Sequence, residues 1–358
     1  MRIIAVHLLN DYSGSPKVLM QLLKIWTKNG KETHLFIGGK NKGFLSDISG
    51  IHYHGYEYRF SGYPIIRLLF FIISQFALAI RLLFFLKKQD IVYINTVLPF
   101  GAAVIAKLKG CRIVYHVHET SVKPQILKKF LFGIASVTAS EVKYVSQFLA
   151  LQEPICKKSE IIYNVLEEDF IEKAVPKNLQ ANERKIVLML CSLKKYKGVD
   201  EFVTLSEQNP EFTFKLVLNA SVYDIHSYFE KKQLPENLYI YPTQQDTHRF
   251  YKEADVILNL SDTKLWVETF GLTILEGMAY GLPAIVPPIG GVTELIDDGK
   301  NGFCINSKEI TVISQKLKLL LNNPNLYQQF SLYAQQKSKL FSIDNFEKQS
   351  LKIFSKFH

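Results

Sequence analysis

Cysteine is scarce in this sequence, and the motifs that cysteine usually forms are missing. The 358 residues include four cysteines, and no two of them make a C-x-x-C pair. Zinc and thiol-redox sites therefore lack their usual ligands, and we expect a reducing, cytoplasmic setting. The sequence also lacks G-x-x-x-x-G-K-[ST], H-E-x-x-H and G-x-G-x-x-G. These absences argue against a P-loop nucleotidase, a zinc protease and a standard dinucleotide-binding protein.

Long uncharged apolar runs are also missing, and the most apolar segment, residues 64–88, is interrupted by charge. Its longest uncharged stretch, Leu68–Ile80, would rise only about 20 Å as a helix, against roughly 30 Å of bilayer hydrocarbon. Arg67, Arg81 and Lys88 fall near one helical face. We therefore expect a helix that lies in the interface of an anionic membrane without spanning it. Its expected apolar contacts are Phe70, Phe71, Phe84 and Phe85.

Acidic residues are fewer than basic ones, which favours anionic partners. Lys and Arg number 43 against 33 Asp and Glu, a formal net charge of +10. Hydrophobic residues make up 47% of the chain, which excludes a disordered protein. The basic residues form no aromatic-interleaved nucleic-acid motif, so an anionic membrane surface is the expected partner and nucleic acid is not.

Strand-like and helix-like segments alternate in both halves of the chain, which is typical of parallel sheets covered by helices. We predict an α/β fold with two doubly wound, Rossmann-like domains facing a central cleft. The first domain is predicted at residues 1–175 and the second at residues 183–340, joined by a polar linker at 174–184. Residues 341–358 are predicted to form a C-terminal helix that packs back toward the first domain.

The stretch from Trp266 to Phe303 is the richest in candidate site residues. Glu268 and Glu276 are separated by seven residues, among them Phe270, Gly271, Leu272 and Thr273 before a predicted helix. Amides at a helix N-terminus bind phosphate, and glycine lets the backbone approach it closely. Glu276 is predicted in the first helical turn, within reach of sugar hydroxyls. The competing interpretations are a capping box from Thr273 to Glu276 and a solvated loop carboxylate at Glu268.

The sequence ETFGLTILE, followed by G-x-P, G-G and an N-G turn, resembles the donor site of retaining, nucleotide-sugar-dependent glycosyltransferases of family 4. That family has the GT-B fold of two Rossmann-like domains. The resemblance implies that Glu268 faces the donor sugar at the reacting carbon and that Glu276 binds the nucleotide ribose. It also implies that the amides of residues 270–273 hold the diphosphate.

Residues 193–198, LKKYKG, are similar to the family loop R-L-x-x-x-K-G, whose Arg and Lys neutralise the donor diphosphate. Lys197 matches the family lysine. Ser192 stands where the family has arginine, and Lys194 or Lys195 is an open candidate to replace the missing cation.

Two landmarks of the first domain complete the resemblance. Gly14 matches one glycine of a family loop after the first strand, although Ser15 as N-cap before Pro16 would explain that segment structurally. His118 follows a strand at the cleft side, where the family often has a histidine near the transferred sugar. The resemblance therefore implies that His118 and Glu268 are the catalytic residues.

The function implied is transfer of a sugar from a nucleotide-diphosphate donor by a hexosyltransferase-type enzyme. The expected acceptor is a lipid-linked saccharide of bacterial surface polysaccharide synthesis, on the inner face of the cell membrane. No D-x-D motif occurs, so we expect no metal and no other cofactor. The alternatives are a same-fold nucleotide-sugar epimerase or phosphorylase and a nonenzymatic basic membrane-surface protein. The sugar, the base and the acceptor stay open.

Overall fold

The computed structural model describes residues 2–39, 41–155, 158–176 and 185–355. The chain divides into two compact units, one of Met1–Asn164 with Asp344–His358 and the other of Val165–Ile343. Most of the predicted linker, residues 177–184, lies outside the described residues.

The boundary between the units comes earlier than the predicted end of the first domain at residue 175. The short helix Glu168–Lys173 belongs to the second unit. Its Phe170 ring lies 4.4 Å from the ring of His248, and it meets the ring of Tyr251 edge to face at 5.9 Å. These aromatic contacts attach the segment to the second unit.

The chain returns to the first unit at its C-terminal end. Arg112 donates a hydrogen bond of 2.6 Å to the carbonyl oxygen of Ile353. The Phe354 ring meets the Trp26 ring edge to face at 6.3 Å. Residues 344–355 are therefore part of the first unit and are not a separate element of the second.

Each unit contains one parallel sheet, with strand order β3-β2-β1-β4-β5-β6-β7 in the first and β10-β9-β8-β11-β12-β13 in the second. The strands of the described residues are β1 (Arg2–His7), β2 (Glu32–Gly38), β3 (Ile51–Tyr56), β4 (Ile91–Asn95), β5 (Arg112–Val117), β6 (Glu141–Tyr144), β7 (Lys158–Ile161), β8 (Ile186–Ser192), β9 (Thr213–Asn219), β10 (Leu238–Tyr241), β11 (Val256–Leu258), β12 (Ala284–Val286) and β13 (Gly302–Cys304).

Helices connect these strands. Those of the described residues are α1 (Gly14–Lys28), α2 (Pro64–Phe85), α3 (Phe100–Leu108), α4 (Gln125–Thr138), α5 (Gln147–Gln152), α6 (Glu168–Lys173), α7 (Val199–Glu207), α8 (Val222–Phe229), α9 (His248–Glu253), α10 (Leu272–Ala279), α11 (Ile310–Leu321), α12 (Pro324–Ser338) and α13 (Ile343–Leu351). The predicted architecture of two Rossmann-like α/β units is confirmed.

The strand order reverses between β1 and β4 in the first sheet and between β8 and β11 in the second. Ligands of such sheets bind in the crevice outside the carboxyl ends of the strands at this switch point. The central strands are fully buried, as their continuous apolar sequences require, so the sheets are rigid supports for these edges.

Two segments of the first unit differ from what their sequence patterns suggest. The apolar run Ser136–Ala139, which has the composition of a short strand, forms the end of α4 and its C-cap, because Gln125–Thr138 is one continuous helix. The segment after β2, which has the composition of a loop, contains the edge strand β3. Its sequence, IHYHGY, carries histidine and glycine, which obscure the strand pattern.

The long apolar helix α2 has 22 residues and is long and apolar enough to cross a membrane by length and composition. It nevertheless packs one face against its own unit, through Phe71, Ser74, Gln75, Leu78 and Leu82. The amide of Gly101 in α3 donates to the Gln75 side chain at 3.3 Å, so the two helices are in close contact. The remaining face of α2 is exposed.

Candidate active site

The loop after β8 brings Lys197 to the switch point of the second sheet. A 3₁₀ turn, Lys195–Lys197, follows the strand, and Gly198 then adopts φ +80° before α7 begins. A Cβ at Gly198 would lie 2.2 Å from the carbonyl oxygen of Leu260, in the loop after β11. Only glycine permits this approach, which brings the β8 loop against the β11 loop.

Lys197 and Glu268, two predicted site residues from distant parts of the sequence, form an ion pair. The Lys197 Nζ lies 2.6 Å from Glu268 Oε2. The side chains are 15% and 21% exposed, so solvent screens the pair only partly. Because Glu268 has this partner, the interpretation as a solvated loop carboxylate is wrong.

Aromatic rings support this pair from one side. The Lys197 Nζ lies 5.1 Å from the centroid of the Trp266 ring. Tyr196 stacks on Trp266 with centroids 5.3 Å apart and an angle of 17° between the planes. The amide of Gly291 also donates to the carbonyl oxygen of Glu268 at 2.8 Å, which holds the backbone of the acidic residue.

Helix α10 begins directly after this segment and presents its N-terminus there. Gly271 is the N-cap, with φ +100°, and a Cβ at this position would lie 2.8 Å from the Val292 side chain. The amide of Ile274 donates to the carbonyl oxygen of Gly271. The amides of Leu272 and Thr273 precede it, in the part of a helix where amides have no intrahelical acceptor.

The Phe270 side chain cannot contribute to a binding surface, because it is 2% exposed. Its ring packs against that of Phe341 at 5.6 Å. Of Phe270, only the backbone is therefore available to a ligand.

Glu276 is buried, and it is not part of a capping box. The N-cap of α10 is Gly271, so Thr273 lies inside the helix and Glu276 is its fifth residue, beyond the first turn. The Glu276 carboxylate instead accepts a hydrogen bond of 2.5 Å from the Tyr251 hydroxyl. Burial and the nearby Glu276 charge raise the pKa of Tyr251 well above 10, so the phenol keeps its proton.

The sequence analysis missed Tyr251, which lies in α9 and orients Glu276. The ring of Tyr251 stacks on that of Tyr280 at 5.7 Å. A tyrosine in an aromatic stretch before a buried strand carries no signal of its own in a single sequence. Its role follows from the contact with Glu276.

The position of the missing family arginine is occupied by Ser192, the last residue of β8. Lys194 and Lys195 are both exposed, whereas Lys197 is directed into the ion pair with Glu268. Hydrogen bonds from Lys232 and Tyr228 lower the pKa of Asp200 against the effect of burial, and the charge of Lys195 adds a smaller contribution. Neither lysine has a described contact with Glu268.

The first unit has its own polar cluster at the switch point between β1 and β4. His118 Nε2 donates to Asn95 Oδ1 at 2.9 Å. The Asn95 amide nitrogen lies 3.1 Å from His7 Nδ1 and donates to the carbonyl oxygen of Ser15 at 3.1 Å. The ends of β1, β4 and β5 and the start of α1 are thus joined through one asparagine.

The imidazoles of this cluster are neutral near pH 7. Burial lowers the pKa of His7 to about 4 and that of His116 to about 3. Burial also holds the pKa of His118 well below its ordinary value, with smaller effects from His116 and His7. His118 is therefore a neutral hydrogen-bonding group.

Glu119 and Thr96 are further residues of this cluster to which the sequence analysis gave no role. The Glu119 carboxylate accepts from the amides of Val97 at 3.1 Å and His118 at 3.0 Å. Burial raises its pKa to about 7 despite these hydrogen bonds. Thr96 has φ +76°, a conformation that is strained for a β-branched residue. Strain of this kind is concentrated at functional sites.

Gly14 is the first residue of α1, and the N-cap is Ser13. The predicted N-cap at Ser15 is therefore wrong, and Pro16 is the third helical residue. The Ser13 amide donates to Asp11 Oδ1 at 2.9 Å, which forms a turn over residues 11–13. The helix therefore begins directly after this turn, two residues earlier than predicted. Gly14 lies at the start of α1, next to Ser15, whose carbonyl oxygen is bound by Asn95.

Within the described residues, no group of three or more histidine, cysteine, aspartate or glutamate side chains is placed to hold a metal ion.

Comparison with solved structures defines the class of the fold. HepE from Anabaena, in complex with UDP-glucose, superposes with a TM-score of 0.81 over 99% of each chain, at 18% sequence identity. The two Rossmann-like units therefore form a GT-B fold of the glycosyltransferase type.

Comparison of sequences relates the second unit to a family of enzymes. Residues 170–337 match the family described as glycosyl transferases group 1. An uncharacterized glycosyltransferase of Haemophilus influenzae is 29% identical over 48% of each chain, so the match spans about half of that relative. An N-acetyl-alpha-D-glucosaminyl L-malate synthase of Bacillus anthracis is 26% identical over 91% of each chain.

The group 1 match covers residues 170–337, and together with the glycosyltransferase relatives it identifies the protein as a glycosyltransferase and therefore as an enzyme. The predicted resemblance to group 1 glycosyltransferases and the predicted GT-B fold are confirmed. The alternative of a nonenzymatic basic protein is wrong, because the matching relatives are glycosyltransferases.

Proposed function

We propose that this enzyme is a retaining glycosyltransferase of family 4 that uses a nucleotide-diphosphate sugar. The observation that carries the proposal is the Lys197–Glu268 ion pair beside the N-terminus of α10. A cation and a row of helix amides suit a diphosphate, and a carboxylate next to them suits the positive charge that develops on a sugar. HepE, of the same fold, was crystallised with UDP-glucose, which supports a UDP-sugar as donor.

The ion pair has a chemical consequence for donor binding. A diphosphate that reaches Lys197 competes with Glu268 for the ammonium group, because both are anions. Once the phosphate takes the lysine, the Glu268 carboxylate is released toward the donor sugar. Binding of the donor and release of the Glu268 carboxylate from Lys197 then occur together.

The reaction breaks the bond between the anomeric carbon and the diphosphate oxygen. Lys197 and the α10 amides stabilise the charge of the departing diphosphate, and Glu268 stabilises the oxocarbenium-like sugar. The acceptor hydroxyl oxygen forms the new glycosidic bond, and its proton leaves with the diphosphate. His118, whose Nε2–H is already bound to Asn95, accepts at Nδ1 a hydrogen bond from a hydroxyl of the transferred sugar. Glu276, held by Tyr251, binds the ribose.

A donor screen tests this assignment. The purified protein is incubated with UDP-, ADP- and GDP-sugars, and release of the nucleoside diphosphate is measured. We expect release from one donor class, at least tenfold slower in Glu268→Gln. Equal release by the wild type and this variant would contradict the proposal.

The proposed acceptor is a lipid-linked saccharide at the inner face of the cell membrane, with the enzyme bound peripherally. The support is the exposed face of α2, which presents large apolar side chains along its whole length. Ile65, Ile73, Phe76, Ile80 and Phe84 are each more than half exposed. The buried opposite face holds the helix to its unit, so α2 can lie in an interface.

The expected contacts of α2 need correction in detail. Of the four phenylalanines predicted to meet the membrane, Phe84 is 85% exposed, whereas Phe71 is buried and Phe70 and Phe85 are half-buried. Lys88 lies beyond the end of the helix at Phe85. The exposed isoleucines and Phe76 replace the buried rings as membrane contacts.

Sedimentation with anionic vesicles tests membrane binding. Ile73→Ser with Phe76→Ser should leave the protein in the supernatant, while the wild type pellets. The control is Val222→Ser with Tyr223→Ser, which removes an even more exposed apolar pair from α8. Equal pelleting of all three proteins would contradict an interfacial α2. If the wild-type protein were released from the vesicles by detergent but not by salt, that result would instead indicate insertion of α2 into the bilayer.

A further inference from the structure

A shallow cavity of about 530 Å³, widely open to solvent, lies between the last turns of α2 and the edge strand β3. Its volume is within the range of sites that bind small molecules. It is lined by Phe36, Tyr53, His54, Gly55, Ile80, Arg81, Phe84 and Phe85. None of these residues belongs to the candidate active site.

The walls of the cavity are mainly aromatic and aliphatic. Phe36 and Phe85 pack edge to face at 5.1 Å and form a fixed apolar wall. Ile80 and Phe84 are 60% and 85% exposed, so these two lining residues also belong to the apolar face of α2. The cavity is therefore continuous with the proposed membrane-contacting face.

Arg81 supplies a positive charge at the cavity. Its guanidinium donates to the carbonyl oxygen of Gly55, which ties α2 to the edge strand and fixes the position of the charge. A guanidinium has five N–H donors, so one bond to a carbonyl leaves capacity for an anion. None of the described cavity-lining residues is acidic.

His54, the other basic residue of the lining, is neutral near pH 7. Burial, and the adjacent His34, His52, Arg2 and Arg81, lower its pKa below the ordinary value. It also lies within 3.0 Å of His34 Nδ1, so its ring is held in a hydrogen bond. Arg81 thus carries the charge that a ligand meets, and the expected ligand combines one anionic group with an apolar chain.

We propose that this cavity binds one anionic glycerophospholipid, with its phosphate on Arg81 and an acyl chain against Ile80, Phe84 and Phe85. The proposal rests on the proposed membrane contact of α2, which brings the cavity to a lipid surface. A basic group near an anionic lipid attracts its phosphate, and the apolar walls add selectivity for an acyl chain. The lipid then fixes the depth and orientation of α2.

Calorimetry with a short-chain lipid tests the site without a bilayer. Dihexanoylphosphatidylglycerol, kept below its critical micelle concentration, is titrated into the full-length protein. Dihexanoylphosphatidylcholine and glycerol 3-phosphate are the comparison probes. We expect saturable binding of one phosphatidylglycerol per protein, at least tenfold weaker binding of phosphatidylcholine, and no binding of glycerol 3-phosphate. Equal affinity for both lipids, or binding of glycerol 3-phosphate alone, would overturn the proposal.

Matched arginine variants locate the site. Arg81→Gln should weaken phosphatidylglycerol binding about tenfold, whereas Arg67→Gln removes the same charge from the other end of α2 and should leave it unchanged. Phe84→Ser, at an exposed position with little consequence for folding, should weaken binding as well. Equal losses in the two arginine variants would show general charge attraction and contradict a cavity site.

The two proposals fail differently. Vesicle pelleting with no saturable binding of the short-chain lipid would refute the cavity site and leave the membrane contact of α2 intact. Saturable lipid binding by a protein that does not pellet would support the cavity and refute the interfacial helix. Neither result depends on sugar transfer.

Discussion

The side chains at the switch points of the two sheets differ in charge. In the second unit the edge carries an ion pair, Lys197 with Glu268, beside the amides of α10. In the first unit the edge carries neutral imidazoles joined through Asn95, with pKa values lowered by burial. The first edge is mainly neutral, although it includes the acidic Glu119 with a pKa of about 7, and the second edge carries an ion pair.

The difference in charge between the two edges indicates which chemical group of a nucleotide sugar each unit is suited to bind. A charged edge stabilises a diphosphate, whose charge rises as the donor bond breaks. A neutral, hydrogen-bonded edge suits sugar hydroxyls, which need donors and acceptors in fixed directions. The following predictions test whether charge at the second edge and neutrality at the first are both required.

The largest expected effect is the loss of Glu268. Glu268→Gln keeps the shape of the side chain and removes its charge, so turnover should fall roughly 100- to 1,000-fold, as for other lost electrostatic groups. Initial rates of nucleoside diphosphate release measure this. Glu207→Gln, an exposed change at the end of α7, is the control and should leave the rate within twofold. A Glu268→Gln rate near that of the control would remove Glu268 from catalysis.

The second largest fall in turnover is expected from the loss of Lys197. Lys197→Ala should lower turnover about tenfold to a thousandfold, because the diphosphate loses its paired cation and Glu268 loses its partner. Lys194→Ala and Lys195→Ala are matched controls on the same loop, with exposed side chains. If either control were more damaging than Lys197→Ala, the diphosphate cation would lie elsewhere on the loop.

Acid should destabilise the first unit through its buried histidines. The unfolded chain binds protons near pH 6.5, whereas the folded His7 and His116 bind them only at about pH 4 and about pH 3. Stability is therefore lost as the pH falls from about 6.5, and His7 alone accounts for about 3 kcal/mol by pH 4. Urea unfolding followed by Trp26 fluorescence, in a Trp266→Phe background, measures the effect. A midpoint that stays constant from pH 7 to pH 4 would contradict neutral burial.

Glu119→Gln should make the loss of folding stability with falling pH steeper. The folded Glu119, with a pKa of about 7, holds a proton that the unfolded chain releases above about pH 4.5. Its stabilising effect is therefore gained as the pH falls through this range, opposite to the histidines. The same urea titration detects the change in slope. An unchanged slope would mean that Glu119 does not titrate near pH 7.

The smallest expected effect is at Tyr251. Tyr251→Phe keeps the ring that stacks on Tyr280 and removes the hydrogen bond to Glu276, so donor affinity should fall by about tenfold or less. Calorimetric titration with the best nucleoside diphosphate measures the loss. Tyr239→Phe, half exposed on β10, is the control. Equal affinities would show that the hydroxyl does not position Glu276 for the nucleotide.

The sequence reveals the central strands better than the edge strand β3. Strands β4 and β12 are continuous apolar runs, which is the pattern expected of buried parallel strands. The edge strand β3 was missed, since its half-exposed residues follow no apolar pattern. The N-cap of α10 was also not predicted. Gly271 caps the helix through its backbone, with a positive φ, and has no side chain that would mark it as a cap in the sequence.

The two site regions differ in how far a single sequence reveals them. The second unit places Glu268, Gly271 and Glu276 within one contiguous stretch, so their spacing is visible without a structure. Lys197 and Tyr251 join them only through packing. In the first unit His7, Asn95 and His118 are far apart in the chain, and the parallel sheet brings them together. Only His118 carried a recognisable signal.

The central claim is that Lys197 and the amides of α10 bind a diphosphate. Its most direct test is calorimetric titration of the wild type and Lys197→Ala with UDP, UMP and uridine. The account predicts that the wild type binds UDP at least tenfold more tightly than UMP, and that Lys197→Ala removes most of this difference while leaving uridine binding unchanged. Equal UDP affinity in the two proteins, or a wild type that does not distinguish UDP from UMP, would contradict it.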